Sequence, residues 1–277
     1  MLLSNLIILK CITNLHVGSE NLMTSIVDKP VQKDLLTNYP KINASSLKGA
    51  LREDYDGEAK NDIFGNDTNR GQIIFFDSKI LFYPFRTSKY KKPYILVTSK
   101  SILKEFFYDL NINSVDNKNL NNFLTSFANL LTENGENLLT ENGENLLIEN
   151  LEISKYWNIS DIDSLKFLPS DLTENCFIID DENFNYLIED IPVIARNKIE
   201  NGQSANLWYE EYIPRETIFY TFLSSIKDSN NSKNSDENTQ LKKFINYYKN
   251  RIFQLGANST IGYGYIKFYN IADDSNE

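Results

Sequence analysis

Short apolar runs alternate with helical stretches along this chain, and a strand-like run lies near each end. Residues 5–15 (NLIILKCITNL) are apolar and β-branched and predict a first strand, and residues 265–271 predict a closing strand. Between them, residues 45–53 predict a short helix opened by a serine cap, and residues 240–253 predict an amphipathic helix. Such interleaving favours an α+β chain of the ferredoxin-like kind.

The first half of the chain carries further strand and helix signals. Residues 72–83 hold two strand-like stretches, IIFFD and KILFY, and Pro84 predicts the end of the second one. Residues 94–98 predict another short strand, and residues 101–110 predict a helix. These elements would extend the sheet begun by the first strand.

Three stretches predict loops or linkers. Residues 20–44 show little periodicity and hold Pro30 and Pro40, which predicts a long structured loop, and loops of this length in a compact domain are usually functional. Residues 130–150 repeat the octad LLTENGEN, which predicts a recent duplication in a surface loop. Residues 228–238 (DSNNSKNSDEN) predict a polar linker.

The cysteine and histidine content excludes several classes of site. Cys11, Cys176 and His16 are too few for a four-ligand structural zinc site, and two distant cysteines do not make a disulfide framework. We therefore expect buried thiols and a cytoplasmic protein. No apolar run approaches the ~20 residues of a membrane span. Residues 2–15 lack the basic front and the cleavage site of a secretory signal, so we expect a retained strand and no membrane partner.

The net charge of −10 argues against a nucleic-acid partner until its distribution is considered. Residues 1–100 hold 14 Lys and Arg against 10 Asp and Glu, whereas residues 101–190 hold 4 against 18. The acidity is therefore concentrated in the middle of the chain. A surface made by the two ends could still bind a phosphate backbone.

Two basic residues on the first predicted helix are candidates for such binding. Lys48 and Arg52 lie four residues apart and therefore point from one helical face, where they could straddle adjacent phosphates. The alternative is an ordinary solvated face.

Asp28 and His16 are candidates for chemistry. Asp28 lies in VDKPVQKD, where Pro30 stiffens the turn, and one carboxylate on a rigid loop can hold a metal ion or take a proton. His16 ends the first predicted strand and could be a general base. The alternatives are a turn-capping aspartate and a hydrogen-bonded packing histidine.

Two glycine-bearing segments complete the set of candidates. Gly256, Gly262 and Gly264 could bring backbone amides close to a partner, or could form a tight helix-to-strand connection. Residues 191–212 predict a long hairpin with Gly202 at its turn. Arg196 and Lys198 are expected on one side of the polar tip at 200–205, and Glu210 and Glu211 at the base, where they could add to the chemistry of Asp28. A plain surface hairpin is the alternative.

Several segments, taken in order along the chain, resemble the RAMP superfamily. TNLHVGS at 13–19 resembles a strand running into the family's LHxGxG, VDKPVQKD at 27–34 its aspartate-bearing loop, and NASSLKGALRE at 43–53 the SSLKGxxR start of its first helix. The further segments are DIFG at 62–65, GQIIFFDSKILFYPFRTS at 71–88, YILVTS at 94–99 and LGANSTIGYG at 255–264. ENGQSANLWYEEYIPRETIFY at 200–220 resembles, more narrowly, the backbone subunit of Cmr-type (type III-B) CRISPR complexes.

The chain departs from the family pattern at three places. Asn43-Ala44 stands where the family has proline-glycine, Ser19-Glu20 replaces a glycine, and Ala257 replaces the second glycine of the C-terminal loop. These changes affect loop geometry, while the loop carboxylate and the basic helix are retained.

The resemblance implies a fold and an assembly. It implies one RAMP domain over residues 1–277: a modified RRM-like, ferredoxin-like palm with an inserted acidic subdomain at 101–190 and a thumb hairpin at 191–212. Backbone subunits of this family stack along a CRISPR guide RNA and cleave complementary target RNA at regular intervals with a divalent metal ion. The implied partners are guide RNA, target RNA, further copies of itself and other Cmr subunits, and the implied cofactor is magnesium or manganese.

The resemblance also implies roles for residues. Asp28 is the implied catalytic and metal-binding residue, with His16, Glu210 and Glu211 as further catalytic candidates. The implied RNA-binding residues are Ser45, Ser46, Lys48, Arg52, Arg196, Lys198, Gly256, Gly262 and Gly264. Two alternatives stay open. One is a non-catalytic RNA-binding scaffold in which Asp28 only caps a turn. The other is a stand-alone RAMP ribonuclease that processes precursor CRISPR RNA with His16 as its base.

Overall fold

The computed structural model describes residues 4–19, 27–88, 92–113, 141–159, 168–226 and 234–271. Its strands are β1 Ser4–Cys11, β2 Lys41–Ile42, β3 Ile73–Phe75, β4 Ser78–Arg86, β5 Tyr94–Ser99, β6 Glu141–Ile148, β7 Leu151–Lys155, β8 Trp157–Asn158, β9 Cys176–Ile179, β10 Val193–Glu200, β11 Gln203–Glu211, β12 Ile218–Ser225, β13 Ile252–Gln254 and β14 Tyr265–Asn270. Its helices are α1 Ala44–Asp54, α2 Lys60–Phe64, α3 Lys100–Ile112, α4 Ser170–Thr173, α5 Asp181–Ile188 and α6 Asn234–Tyr248, with a 3₁₀ turn at Ser259–Ile261.

One large sheet organises the described part of the chain. Its strands follow the order β13-β14-β1-β12-β4-β5-β9-β8, while β2 also pairs with β4 and β3 with β12. The first strand, β1, is antiparallel to both neighbours, so that Ile8 lies opposite Tyr220 on one side and Tyr269 on the other. The sequence predicted an α+β chain, and the combination of helices with one large sheet is confirmed.

Helices cover both faces of the sheet, which explains why its central strands are apolar runs with no polar face. On one face, α1, α2 and α6 enclose an aromatic cluster in which Tyr55, Phe64 and Phe244 are in mutual edge or tilted contact. On the other face, the ring of Phe106 from α3 packs edge-on against Tyr220 of β12, with centroids 4.7 Å apart.

Buried polar groups in this core are paired or neutral. The Tyr220 hydroxyl donates to the Asp109 carboxylate at 2.9 Å, and Lys79 donates to the same carboxylate at 2.8 Å. Burial raises the pKa of Tyr220, so its hydroxyl keeps the proton that it donates. Cys11 and Cys176 are both buried free thiols, and burial raises the pKa of each. The prediction of two buried thiols is therefore confirmed.

The hairpin predicted at 191–212 is present as β10 and β11. Asn201 and Gly202 form its two-residue turn with φ values of 51° and 79°, both in the left-handed region. An Asn-Gly pair with two positive φ angles is the turn that best matches the twist of paired strands. The expected polar tip at 200–205 is therefore narrower than predicted, because both strands run almost to the turn.

Several predicted element bounds were wrong. The cap of α1 is Asn43 instead of a serine, and it makes no side-chain capping bond. The strand β4 continues through Pro84 to Arg86. Pro84 lies opposite Leu96 of β5, and the N–H of Leu96 donates to the Asn175 carbonyl, on the side of β5 that faces away from β4. No hydrogen bond from position 84 is needed there.

Two stretches predicted to be irregular are partly regular. The strand β6, at 141–148, contains the end of the repeated octad and pairs with β7, with Leu146 and Ile148 buried. Residues 130–140 lie outside the described residues. Helix α6 begins at Asn234, within the predicted polar linker, and ends at Tyr248, so Ile252 and Phe253 belong to β13. Across the described segments, no helix is both long and apolar enough to cross a membrane.

Candidate active site

The loop that carries Asp28 is bonded to the base of the hairpin. The N–H of Lys29 donates to the Tyr209 carbonyl at 3.1 Å, and the N–H of Glu211 donates to the Lys29 carbonyl at 3.0 Å. The loop therefore lies along the free edge of β11 like a short third strand. Residues 20–26 of the predicted loop lie outside the described residues.

Asp28 is exposed, yet its carboxylate is oriented by the main chain. Its Oδ2 accepts from the N–H of Tyr209 at 2.7 Å, and its other oxygen has no partner among the described residues. Next to it, the Lys29 ammonium lies 4.9 Å from the ring centroid of Trp208. A carboxylate held at one oxygen and open at the other can accept a proton or contact a cation.

Glu211 differs from Asp28 because both of its oxygens are engaged. The residue is 8% exposed; Oε2 accepts from the N–H of Val31 at 3.0 Å, and Oε1 accepts from Lys33 at 3.1 Å. These bonds join the loop to the hairpin across 180 and 178 residues of sequence. Glu211 thus holds the loop in place and is not free for chemistry.

His16 is also part of this packing. It is 4% exposed, and its Nδ1 lies 2.7 Å from the backbone carbonyl of Glu211, to which it donates. Its Nε2 lies against Gly18, where an added Cβ would stand 3.2 Å away. This geometry favours the packing alternative over the general base that the sequence also allowed.

Glu210 is the most buried carboxylate at the hairpin base. It is 2% exposed; its Oε1 accepts from Arg196 at 3.3 Å and from the side-chain amide of Asn258. The Arg196 guanidinium also lies 5.0 Å from the ring centroid of Tyr263. Arg196 was expected on one side of the tip with Lys198, but it turns down toward the C-terminal loop, while Lys198 is exposed and pairs with Glu200.

The C-terminal glycines shape a close contact with the His16 turn. A Cβ at Gly256 would lie 2.4 Å from the His16 carbonyl oxygen, and one at Gly264 would lie 2.0 Å from the Leu255 carbonyl oxygen. Both have positive φ, which favours glycine. The N–H groups of Gly262 and Gly264 donate to backbone carbonyls of this chain, which favours the tight connection that the sequence also allowed.

Gln32 links this junction to the start of α1, and the sequence reasoning did not select it. Its amide nitrogen donates to the Gly18 carbonyl at 3.1 Å and to the Ser46 hydroxyl at 3.0 Å, and its oxygen accepts from the N–H of Asn43 at 2.7 Å. Its position inside VDKPVQKD was the available signal.

Asp77 supports the same helix start from the sheet side. It accepts from the N–H of Ala44 at 2.7 Å and from Lys41 at 2.8 Å. Partial burial opposes ionisation, but these hydrogen bonds outweigh it and hold the pKa of Asp77 below its ordinary value. The carboxylate therefore acts as an ionised anchor for α1.

The basic face predicted on α1 is present. Arg52 is exposed, and Lys48 is half-buried with its ammonium 5.9 Å from the Phe75 ring centroid. Ser45 is exposed, whereas the Ser46 hydroxyl is taken by Gln32. Neither Lys48 nor Arg52 forms an ion pair with any residue that the structure describes, so both charges can face a ligand.

The residues at this junction do not build a metal centre by themselves. Within the described segments, no three His, Cys, Asp or Glu side chains converge. Glu210 and Glu211 are committed to protein partners, which leaves Asp28 as a single donor. A magnesium ion held by one carboxylate would need RNA phosphate oxygens and water for its remaining ligands.

Comparison with known proteins decides the family. The family model of the RAMP superfamily matches residues 8–267. The chain belongs to the RAMP superfamily. It is 31% identical to the CRISPR system Cmr endoribonuclease Cmr4 of Pyrococcus furiosus over 92% of each chain. It is 25% identical to the CRISPR system CMR subunit Cmr4 of Saccharolobus solfataricus over 94% of each chain.

Solved RAMP structures share the fold. The crystal structure of oligomeric Cmr4 from Pyrococcus furiosus superposes with a TM-score of 0.71 at 27% identity, covering 97% of this chain and 98% of that one. A chain of the type III-B Cmr-beta complex bound to cognate target RNA gives a TM-score of 0.74 at 21% identity, covering 98% of both. The second likeness bears on the fold alone.

Three of the segments that resemble RAMP motifs meet at one place in the fold. The His16 turn, the Asp28 loop and the C-terminal glycine loop all contact the base of the hairpin. The predicted RAMP membership and the likeness to Cmr-type backbone subunits are confirmed, because both curated relatives are Cmr4 proteins.

Proposed function

We propose that this RAMP chain is a backbone subunit of a type III-B CRISPR effector complex that binds guide RNA and cleaves complementary target RNA. The observation that carries the proposal is the exposed, main-chain-oriented carboxylate of Asp28 at the base of a protruding hairpin. The relative named an endoribonuclease matches 92% of this chain over 92% of its own length, so most of that relative has a counterpart here, which supports a similar activity.

The topology of the sheet supports an RRM-like palm. The strands β14, β1, β12 and β4 are antiparallel neighbours in that order. Along the chain they come as β1, α1, β4, β12, α6, β14, which is the strand–helix–strand–strand–helix–strand order of ferredoxin-like folds. Everything between β4 and β12 is then an insertion, including the acidic stretch and the hairpin.

The hairpin would serve as the thumb. It projects from the sheet with most of its residues exposed, and one face carries the apolar side chains Val193, Ile199, Leu207 and Tyr209. Replacing residues 198–206 by Asn-Gly keeps a two-residue turn between Asn197 and Leu207 and removes only the tip. We expect guide binding to persist and the positions of target cleavage to change; unchanged positions would move the thumb elsewhere.

The chemistry proposed at Asp28 uses the nucleophile that RNA carries. The 2′-oxygen forms a bond to the adjacent phosphorus, the bond from phosphorus to the 5′-oxygen breaks, and a 2′,3′-cyclic phosphate results. The open oxygen of Asp28 would take the proton of the 2′-hydroxyl, and water would protonate the leaving 5′-oxygen. Base pairing with the guide supplies sequence specificity, so the protein needs only shape and backbone contacts.

Assembly would use surfaces that lie outside this chemistry. Lys48 and Arg52 on α1 would hold the guide backbone. Leu35 and Leu36 are 99% and 96% exposed on a turn fixed by the Asp34 carboxylate, which suits contact with a neighbouring subunit. The oligomeric Cmr4 crystal structure makes a further copy of this chain the natural neighbour, and other Cmr subunits would complete the complex.

A non-catalytic scaffold is the second candidate, because one oxygen of Asp28 already accepts from Tyr209 and could serve only to fix the loop. A stand-alone ribonuclease with His16 as its base is less well supported, since that ring is buried and bonded.

The deciding experiment incubates the assembled complex with matched target RNA and resolves the products on a sequencing gel. We expect a ladder of regularly spaced fragments that ends in cyclic phosphates. Intact target in the presence of bound guide would favour the scaffold.

A further inference from the structure

A small cavity opens between the start of α1 and the strand β3, away from the hairpin base. Its volume is about 260 Å³, and its wall includes Ser45 and Lys48 from α1, Arg70, and the ring of Phe75. Apolar side chains of β3 form the rest of its floor. The cavity therefore brings two cations, a hydroxyl and an aromatic face together.

Arg70 is held at the rim by a turn that leaves its backbone little freedom. Gly65 and Arg70 form an isolated antiparallel bridge. A Cβ at Gly71 would lie 2.6 Å from the Ile63 carbonyl oxygen, and one at Gly65 would lie 2.7 Å from the Gly71 nitrogen. Only glycine allows the two chain segments to come this close, and the result is a fixed anchor for the arginine.

The aromatic face is likewise fixed. Phe75 stacks on Phe64 with centroids 5.7 Å apart and an angle of 15° between the rings. The same ring lines the cavity, with the Lys48 ammonium 5.9 Å from its centroid. A planar group entering the cavity would therefore meet a ring that is already braced from behind.

The charges at the cavity are available to a ligand. Elsewhere on the sheet, Lys10 is paired with Glu216 and Lys41 with Asp77. In contrast, neither Lys48 nor Arg70 has an ion-pair partner among the residues that the structure describes. Two unpaired cations beside an aromatic ring suit a phosphate joined to a base.

We propose that this cavity binds one unpaired ribonucleotide of the guide RNA, with its phosphate between Lys48 and Arg70 and its base on Phe75. The inference rests on the proposed function for the identity of the RNA, and it adds Arg70 and Phe75 to the contacts expected from the sequence. It also gives each subunit a stacking contact that backbone charge alone would not supply.

The test measures binding of fluorescently labelled guide RNA to the full chain over a series of salt concentrations. We expect Arg70→Ala to weaken binding roughly tenfold and to lower the salt slope by about one phosphate contact. We expect Phe75→Leu, which keeps an apolar side chain in the aromatic cluster, to weaken binding roughly tenfold with an unchanged slope. Circular dichroism melts would verify that both variants are folded.

Lys104→Ala is the matched control, because Lys104 is exposed on α3, which packs on the opposite face of the sheet. Wild-type affinity and slope in both Arg70→Ala and Phe75→Leu would overturn the site, and a loss in Arg70→Ala alone would overturn the stacking contact. The readout is binding, so it is separate from catalysis. A complex that binds guide through this cavity but does not cleave would remove only the nuclease proposal.

Discussion

The Asp28 loop and the hairpin base each place a carboxylate at strand β11, but the environments of the two carboxylates are opposite. Asp28 is exposed and makes one hydrogen bond, whereas Glu210 is 2% exposed and bonded to Arg196 and Asn258. A buried carboxylate with satisfied partners is costly to disturb, and an exposed one with an open oxygen is available to a ligand. Burial and pairing, more than residue type, therefore determine that Asp28 is available for chemistry and that Glu210 is structural.

The largest expected effect is on cleavage by Asp28 variants in the assembled complex. General acid–base groups contribute about 10²- to 10⁴-fold, so we expect Asp28→Asn to slow target cleavage at least 100-fold. The asparagine oxygen can still accept from Tyr209, so the loop and target affinity should be preserved. Single-turnover assays with labelled target would measure the rate, and filter binding would measure the affinity.

Asp28→Ala separates the two candidate functions, because it removes the bond to Tyr209 as well as the charge. Loss of target affinity by more than tenfold, ~1.4 kcal/mol, in both variants would mean that Asp28 is structural. Equal affinity with lost cleavage would support the catalytic role.

The next largest effect is on stability and concerns the buried carboxylate, Glu210. Glu210→Ala leaves Arg196 and Asn258 without their shared acceptor in a buried setting, which should lower the free energy of unfolding by about 2 kcal/mol. Glu200→Ala at the hairpin tip is the matched control, since Glu200 pairs with Lys198 in solvent and should change stability by less than about 0.5 kcal/mol. Urea unfolding would compare the two variants. Equal losses in the free energy of unfolding would contradict the buried role of Glu210.

Features set by local chemistry could be predicted from the sequence, and long-range partners could not. The Asn201-Gly202 turn and the apolar runs of β1 and β12 follow from a few adjacent residues. Asn258, one partner of Glu210, lies 48 residues away, and Val31, one partner of Glu211, lies 180 residues away, so no local pattern indicated that these two carboxylates were engaged. The sequence grouped them with Asp28 because they share its chemistry.

Substitution of His16 should have a smaller effect on stability and tests whether this residue is structural or catalytic. His16→Ala removes the bond from Nδ1 to the Glu211 carbonyl and leaves a space beneath the loop, so we expect a loss of about 1–2 kcal/mol of stability. Cleavage, measured well below the melting temperature, should fall less than tenfold. Complete loss of cleavage in a folded His16→Ala protein would restore the histidine as a general base.

Some predicted bounds of strands and helices were wrong for a similar reason. Pro84 stops a strand only where its missing N–H is required, and the pairing of Leu96 with Asn175 on the other edge of β5 removes that requirement. At Gly256, the His16 carbonyl leaves no room for a side chain, which no local pattern indicated. In each case a neighbour distant in sequence decided the outcome.

The smallest expected effect concerns Asp77, a carboxylate intermediate between the two extremes. Its pKa is held below the ordinary value near 3.8 by Lys41 and the Ala44 amide, against the effect of partial burial. A lowered folded-state pKa means that the ionised group stabilises the fold above the ordinary pKa and that this contribution is lost as pH falls through the folded value. The stability difference between wild type and Asp77→Asn should therefore be constant from pH 7 to about pH 5 and shrink below about pH 4. Urea midpoints across that range would measure it. A difference that grew on acidification would mean that α1 is not anchored by an ionised Asp77, and the guide-binding face would then need another support.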